Sequence, residues 1–233
     1  MFPIRDDQPR YSTPFVNGFL IVLNILIYFF QASLEPQSYE VFARQFGVVP
    51  SHLSAFLAGS PKYPLAAIVI PFFTSMFLHA GWMHVLGNMW FLYIFGDNIE
   101  DYLGHFKYLM FYVLCGLFAM ATQVAVYPHS NLPTVGASGA IAGVLGAYFI
   151  LYPRGRILTI LPIFIFIQFI EIPAVIFLFL WFAVQLYAGL AAGNQGASMG
   201  GVAWWAHVGG FLFGIAMGPI LAKRRAAPRS RKT

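Results

Sequence analysis

The sequence predicts an all-α polytopic membrane protein, and three observations carry that reading. Of its 233 residues, 59% are hydrophobic and only 9% are charged, whereas a soluble globular domain carries about 25% charged residues. Mean hydropathy is +0.72. Six apolar runs, 15–32, 82–99, 108–126, 138–152, 173–192 and 203–222, approach the length of a bilayer span, which takes about 20 residues.

Residues 1–12 are polar and do not read as a cleavable signal peptide, and the run at 15–32 is a full span. The long loop that follows contains LSAFLAGSPKYPLAAIVIPFF, apolar but broken by Pro61, Pro64 and Pro71. It reads as helical pieces lying on or dipping into the outer interface. The fourth run is short for a span. It opens at the glycine-rich TVGASGAIAGVLGA, 134–147, so it is expected to begin below the membrane surface, where water has to reach it. The stretch ILTILPIFIFIQFIEIP, 157–173, is β-branched and Phe-rich, with Pro162 and the acid Glu171. A seventh span there would put the basic tail outside, so an interfacial or re-entrant segment on the cytoplasmic side is expected instead.

Basic residues set the orientation. Arg5 and Arg10 precede span one, Lys107 follows span two, Arg154 and Arg156 follow span four, and six Lys or Arg follow span six. The loops after spans three and five have none. Both termini are therefore expected in the cytoplasm, which requires an even number of spans. Arg44 and Lys62 in the first loop are exceptions, but long loops obey the charge rule poorly. The organisation is a cytoplasmic segment 1–12, a six-span domain 13–222 and a basic cytoplasmic tail 223–233. The net charge of +5 comes largely from that tail, which points to membrane lipids as partners rather than nucleic acid. In a bacterium the expected location is the plasma (inner) membrane. The single cysteine, Cys115, excludes an internal disulfide and reads as a packing residue.

Polar groups inside spans are costly, and each needs a reason. In HAGWMHVLGNMW, His84 and Asn88 are four apart on one face of span two, with His79 just before it. Ser138 opens span four, and His207 lies a few residues into span six. All three spans enter from the outer side, so three separate segments bring polar groups to a similar depth. Small residues indicate how they meet. Gly139, Gly143 and Gly146 line span four, and Gly210, Gly214 and Gly218 recur every four residues in span six. Such faces let helix backbones approach closely, and that contact would carry His207 toward Ser138.

A serine hydroxyl is a useful nucleophile when a base takes its proton, and histidine is the usual base. No Asp or Glu is expected near His207, so the residues allow a Ser–His dyad without an orienting acid. Asn88, His84 and the backbone N–H of Ser138 are candidate donors to an oxyanion. The first N–H groups of a helix lack intrahelical partners and sit at its positive end. Gly136 and Gly139 would let the chain turn tightly there and approach a substrate.

HxxxxHxxxN at His79, His84 and Asn88, GASG around Ser138, and AHVGGFLFG around His207 together resemble the rhomboid intramembrane serine proteases, over roughly residues 13–222. The resemblance implies a six-transmembrane-helix bundle with a long first outer loop. It implies Ser138 as nucleophile, His207 as general base, His84 and Asn88 with the Ser138 N–H as oxyanion donors, and His79 as a structural hydrogen-bonding residue. It implies no metal or cofactor. The implied substrate is a single-span membrane protein, cut near the outer face. Unwinding is needed whatever the family, because an intact helix hides its carbonyls in intrahelical bonds.

Two positions depart from the pattern. Ile70 and Pro71 stand where many members carry Trp-Arg, so the first loop is expected to be anchored by other contacts. Ala142 stands where many carry an aromatic residue beside the histidine. Trp204, Trp205 and Phe211 are candidates to fill that space, and the alternative is a loosely held imidazole.

Three other readings compete with the protease. A zinc site from His79, His84 and His207 would lack the acid that usually serves as base. A non-catalytic rhomboid-like binder of membrane helices would not need both Ser138 and His207. A transporter could use an intramembrane histidine relay. Of the remaining residues, His52, His105 and His129 read as surface groups, and Gln123, Gln168 and Gln185 as interhelical or interfacial hydrogen-bonding groups. Trp181, Phe177, Phe179 and Phe182 read as lipid-facing packing, with a lateral substrate gate as the alternative.

Overall fold

The computed structural model describes residues 1–163, 166–193 and 201–221; the basic tail 223–233 lies outside them. In chain order the elements are β1 (Phe2–Asp6), α1 (Phe15–Ala32), α2 (Pro36–Phe46), α3 (Pro50–Leu57), α4 (Leu65–Thr74), a 3₁₀ turn (Ser75–Phe77), α5 (Trp82–Leu103), α6 (His105–Val126), α7 (Ser138–Leu151), β2 (Arg156–Ile163), β3 (Phe166–Pro173), α8 (Ala174–Ala192) and α9 (Trp204–Leu221). Helices α1, α5, α6, α7, α8 and α9 fall on the six apolar runs. Of these, α1, α6, α8 and α9 are each long and apolar enough to cross a membrane. His84, Asn88, Asp97 and Asn98 lower the hydropathy of α5, which qualifies only together with α4, bent from it by 76°. The apolar α7 has 14 residues.

The exterior is that of a membrane protein. On α1 the buried side chains include Asn17, Asn24 and Gln31, while Phe15, Phe19, Val22, Leu26, Phe29 and Phe30 are exposed. In water this helix would be inside out; in lipid, polar groups belong in the bundle interior. Asn17 finds partners there: its Nδ2 donates to the Leu92 carbonyl, and Tyr108 donates its hydroxyl proton to Asn17 Oδ1 at 2.8 Å. Helix α7 occupies the centre. Every residue from Gly139 to Tyr148 is buried, as befits a helix apolar on all sides.

Helix ends are tied by charge. No side chain of α1 caps its own start. Instead the fully buried Glu100 accepts hydrogen bonds from the Val16 and Asn17 amides at 3.0 and 2.7 Å, putting a carboxylate at the positive end of the helix. Lys107 Nζ donates to the Leu221 carbonyl at the C-terminal end of α9. Gly104, at φ +82°, turns the chain between α5 and α6 in a backbone region that suits glycine.

The helical class holds, with one addition that the sequence reading does not anticipate. Where an interfacial or re-entrant segment is expected over 157–173, β2 and β3 pair antiparallel, and β1 adds to β2 on its other side in the order β1-β2-β3. Strand β1 runs beside α5: Phe2 stacks on Trp90 at 5.5 Å, and Asp6 reaches Asn98. Asp6 Oδ2 also accepts the Tyr148 hydroxyl proton at 2.6 Å, fastening the strand to the central helix.

Burial first, and the nearby Asp97 charge second among the raising influences, lift the Asp6 carboxyl from its ordinary 3.8 to about 6 against the lowering effect of the Tyr148 hydrogen bond. The fold therefore favours protonated Asp6. That contribution is fully present below pH 3.8 and is lost as pH rises through about 6. Melting curves of the detergent-solubilised protein should show wild type losing ground to Asp6→Asn between about pH 4 and 7. Parallel curves for the two proteins would contradict this origin.

Candidate active site

The seam between α7 and α9 brings the sequence-predicted residues together. A Cβ on Gly210 would overlap the Gly139 carbonyl oxygen, and one on Gly214 would overlap the Gly143 backbone. Further along, a Cβ on Gly218 would come within 2.9 Å of the Ala147 Cβ. The two stripes of small residues thus face each other with backbones in contact. Cys115 is fully buried against Gly143, a packing role.

At one end of this seam His207 Nε2 lies 2.7 Å from Ser138 Oγ. His207 is 8% exposed, and Ser138 is partly exposed. The far side of the imidazole is also held: Nδ1 is 2.8 Å from Gln185 Oε1 on α8. Trp181 and Trp204 flank the ring with centroids at 5.9 and 6.2 Å. Of the candidates to replace the aromatic residue missing at Ala142, Trp204 is the one beside the ring. Phe211 packs on Trp181 and Phe182 instead, and Trp205 lies against Gly189. Gln123 Oε1 accepts the Ala206 amide beside His207, an interhelical bond of the expected kind.

His84 enters from α5. The Ala80 amide donates to His84 Nδ1 at 3.4 Å, an arrangement that suits the tautomer with its proton on Nε2. That nitrogen faces Gly136: a Cβ there would lie 2.8 Å from His84 Nε2 and 3.4 Å from Ser138 Oγ. Gly136 also has φ +135°, so both its conformation and the space around it call for glycine. Asn88, one turn beyond His84, is 8% exposed, and its Nδ2 has no partner among the described residues. The first α7 hydrogen bond is donated by Ile141 to Ala137, which leaves the Ser138 and Gly139 amides ahead of it. The His84 ring and the start of α7 thus meet across Gly136, beside the Ser138 hydroxyl.

His79 is fully buried before α5. Its main chain is clamped by Gln31, whose Oε1 accepts the His79 amide at 3.0 Å and whose Nε2 donates to the His79 carbonyl at 3.3 Å. Its ring packs edge-on to His84 at 5.1 Å, and neither ring nitrogen has a hydrogen-bond partner among the described residues, so the hydrogen bonds expected of His79 are made by its main chain and not by its side chain. Among the described residues no group of three or more His, Cys, Asp or Glu is arranged to hold a metal ion. The acids Asp97, Glu100, Asp101 and Glu171 belong to the end of the bundle that carries the sheet: Glu100 holds the start of α1, and Glu171 pairs with Arg156 at 3.3 Å.

The loop before α5 is anchored without Trp-Arg. Val48 and Thr134 exchange backbone hydrogen bonds at 3.1 and 2.8 Å. Ser54 Oγ donates to the Pro128 carbonyl, Arg44 to the Asn131 carbonyl, and the Gly136 amide to the Ser75 carbonyl. These bonds staple α2, α3 and the 3₁₀ turn onto the strap 127–137 that leads into Ser138. Beside it, a cavity of about 300 Å³ has mainly apolar walls, among them Leu132, Pro133, Val135 and Val202, into which His84, Gln123, Glu40 and Ser130 bring polar groups.

Residues 67–224 match the Rhomboid domain family. The chain belongs to the rhomboid family. Rhomboid-like protein 11, chloroplastic, of Arabidopsis thaliana is 34% identical over 153 residues, 65% of this chain and 52% of that protein. Presenilin-associated rhomboid-like protein, mitochondrial, of Homo sapiens is 31% identical over 150 residues, 62% of this chain and 36% of that one. Rhomboid protease AarA of Providencia stuartii is 32% identical over 141 residues, 55% and 47%. The matched region spans about half or less of each relative's length.

Two residues of this rhomboid's site escape the sequence reading as site residues. The sequence assigns Trp181 to lipid-facing packing and Gln185 to generic interhelical bonding, yet both touch His207. Their spacing of four puts them on one face of α8, and a glutamine amid an apolar run is the available signal.

Proposed function

We propose that this rhomboid is an intramembrane serine endopeptidase that cuts peptide bonds in or near the transmembrane segments of single-span membrane proteins. The observation that carries the reading is the 2.7 Å contact between Ser138 Oγ and His207 Nε2, made between two helices whose backbones touch. Ser138 Oγ attacks the scissile carbonyl carbon while His207 Nε2 takes its proton. The carbonyl oxygen gains negative charge, which His84 Nε2–H, Asn88 Nδ2–H and the Ser138 amide stabilise. Collapse of the tetrahedral intermediate breaks the C–N bond, and His207 returns the proton to the leaving amine. Water then repeats the sequence on the acyl-enzyme, and the cavity beside His84, with His84, Gln123, Glu40 and Ser130 in its walls, is the route by which it arrives. Both termini and the sheet lie on the cytoplasmic side in this reading, and Ser138 lies toward the outer side, below the membrane surface.

The test is labelling of the purified protein with a fluorescent fluorophosphonate. Wild type should take the label at Ser138, and Ser138→Ala and His207→Ala should not. Equal labelling of Ser138→Ala, or none of wild type, would sink the proposal.

A further inference from the structure

We propose that Gln185 is a positioning residue for the reaction, fixing the tautomer of His207 through an uncharged amide. The inference rests on the serine-hydrolase reading above. A base that accepts the Ser138 proton needs a lone pair on Nε2, so its own ring proton has to sit on Nδ1. Nothing in an imidazole by itself enforces that choice; the partner of Nδ1 does.

The geometry points to Gln185 as that partner. His207 Nδ1 is 2.8 Å from Gln185 Oε1, and Gln185 is 7% exposed. An amide can present either its oxygen or its NH₂ group, so the direction has to be argued. Gln185 Nε2 donates to the Trp181 carbonyl at 3.3 Å, one turn back on α8. The reverse orientation would set the amide oxygen against that carbonyl, two acceptors facing each other. It would also make Nδ1 an acceptor and put the ring proton on Nε2, pointing at Ser138. The Trp181 carbonyl therefore orients Gln185, Gln185 accepts the Nδ1 proton, and Nε2 is left to accept from Ser138 Oγ at 2.7 Å. Trp181, on the same face of α8, lies beside the ring. A single helix thus supplies both the acceptor and one wall.

The amide does part of what a carboxylate does in a charged triad without burying a charge near lipid, where an unpaired anion is costly. No atom of Gln185 reaches the scissile bond, and it acts only through His207.

Two replacements separate this role from packing. Methionine matches glutamine in length and is apolar, but its thioether is a weak acceptor. Glutamate keeps an oxygen acceptor at the same place. The readouts are the fluorophosphonate labelling rate and kcat and KM for a fluorescent single-span peptide, using the full chain in detergent micelles. Gln185→Met should lower kcat and the labelling rate about tenfold or more, with KM and the melting temperature little changed. Gln185→Glu should recover rates to within a few-fold of wild type. A packing role gives the opposite order, methionine tolerated and glutamate damaging, and that result overturns the inference. Wild type that takes no label overturns both this inference and the hydrolase reading. Labelled wild type with an unaffected Gln185→Met overturns this inference alone.

Discussion

Ser138→Ala is expected to lower turnover of a single-span reporter peptide by at least about 10⁴-fold and to leave the fold intact. The hydroxyl is partly exposed and its hydrogen bond to His207 contributes only about 1 kcal/mol to stability, so melting should barely change. His207→Ala should cost a similar factor, and the double variant no more than the worse single one, because a nucleophile and its base act as a unit. Additive losses would mean that the two side chains serve separate steps. Peptide hydrolysis that survives Ser138→Ala would place the nucleophile elsewhere.

The second large effect is expected well away from the reacting groups. Gly214 packs its backbone on the Gly143 backbone, and an added Cβ would overlap it. Neither side can rotate away, since what collides is main chain. Gly214→Ala should force α7 and α9 apart, costing about 1–3 kcal/mol of stability, the usual range for overpacking. Because Ser138 and His207 ride on these two helices, the same separation lengthens their contact, and a displacement of about 1 Å can cost about 10²-fold in rate. A lowered melting temperature together with a kcat loss, at similar KM, is the expected result. By contrast, a Cβ added to Gly87 would meet nothing within 4 Å, so Gly87→Ala serves as the control. If Gly214→Ala behaves like that control, the seam does not set the geometry of the pair.

Much of this was legible in the sequence. The apolar runs located the six helices that fall on them to within a few residues, because lipid demands length and hydropathy together. The stripes of glycine disclosed the α7–α9 contact, because only small residues permit it. The sheet was not legible. Strand β3 exposes Phe166, Ile167, Phe169 and Ile170, apolar groups on both of its faces, so the alternation that marks a half-buried strand is missing. The partner of β2 on its other side comes from residues 2–6, far beyond any local window. Gln185 and Trp181 failed for a related reason: α8 is apolar nearly all round, so its composition does not say which side faces the bundle. The contact with His207 appears only once the helices are packed.

The strand Phe2–Asp6 has one more implication, for biosynthesis. Phe2 pairs with Ile160, and translation at about 5–20 residues per second separates those positions by roughly eight to thirty seconds. Strand β1 therefore waits, without β2, while α1, α5, α6 and α7 are synthesised, and it is fastened only after β2 has left the ribosome. Assembly order runs against chain order at this point, since a strand made before α1 is seated only by a strand made after α7.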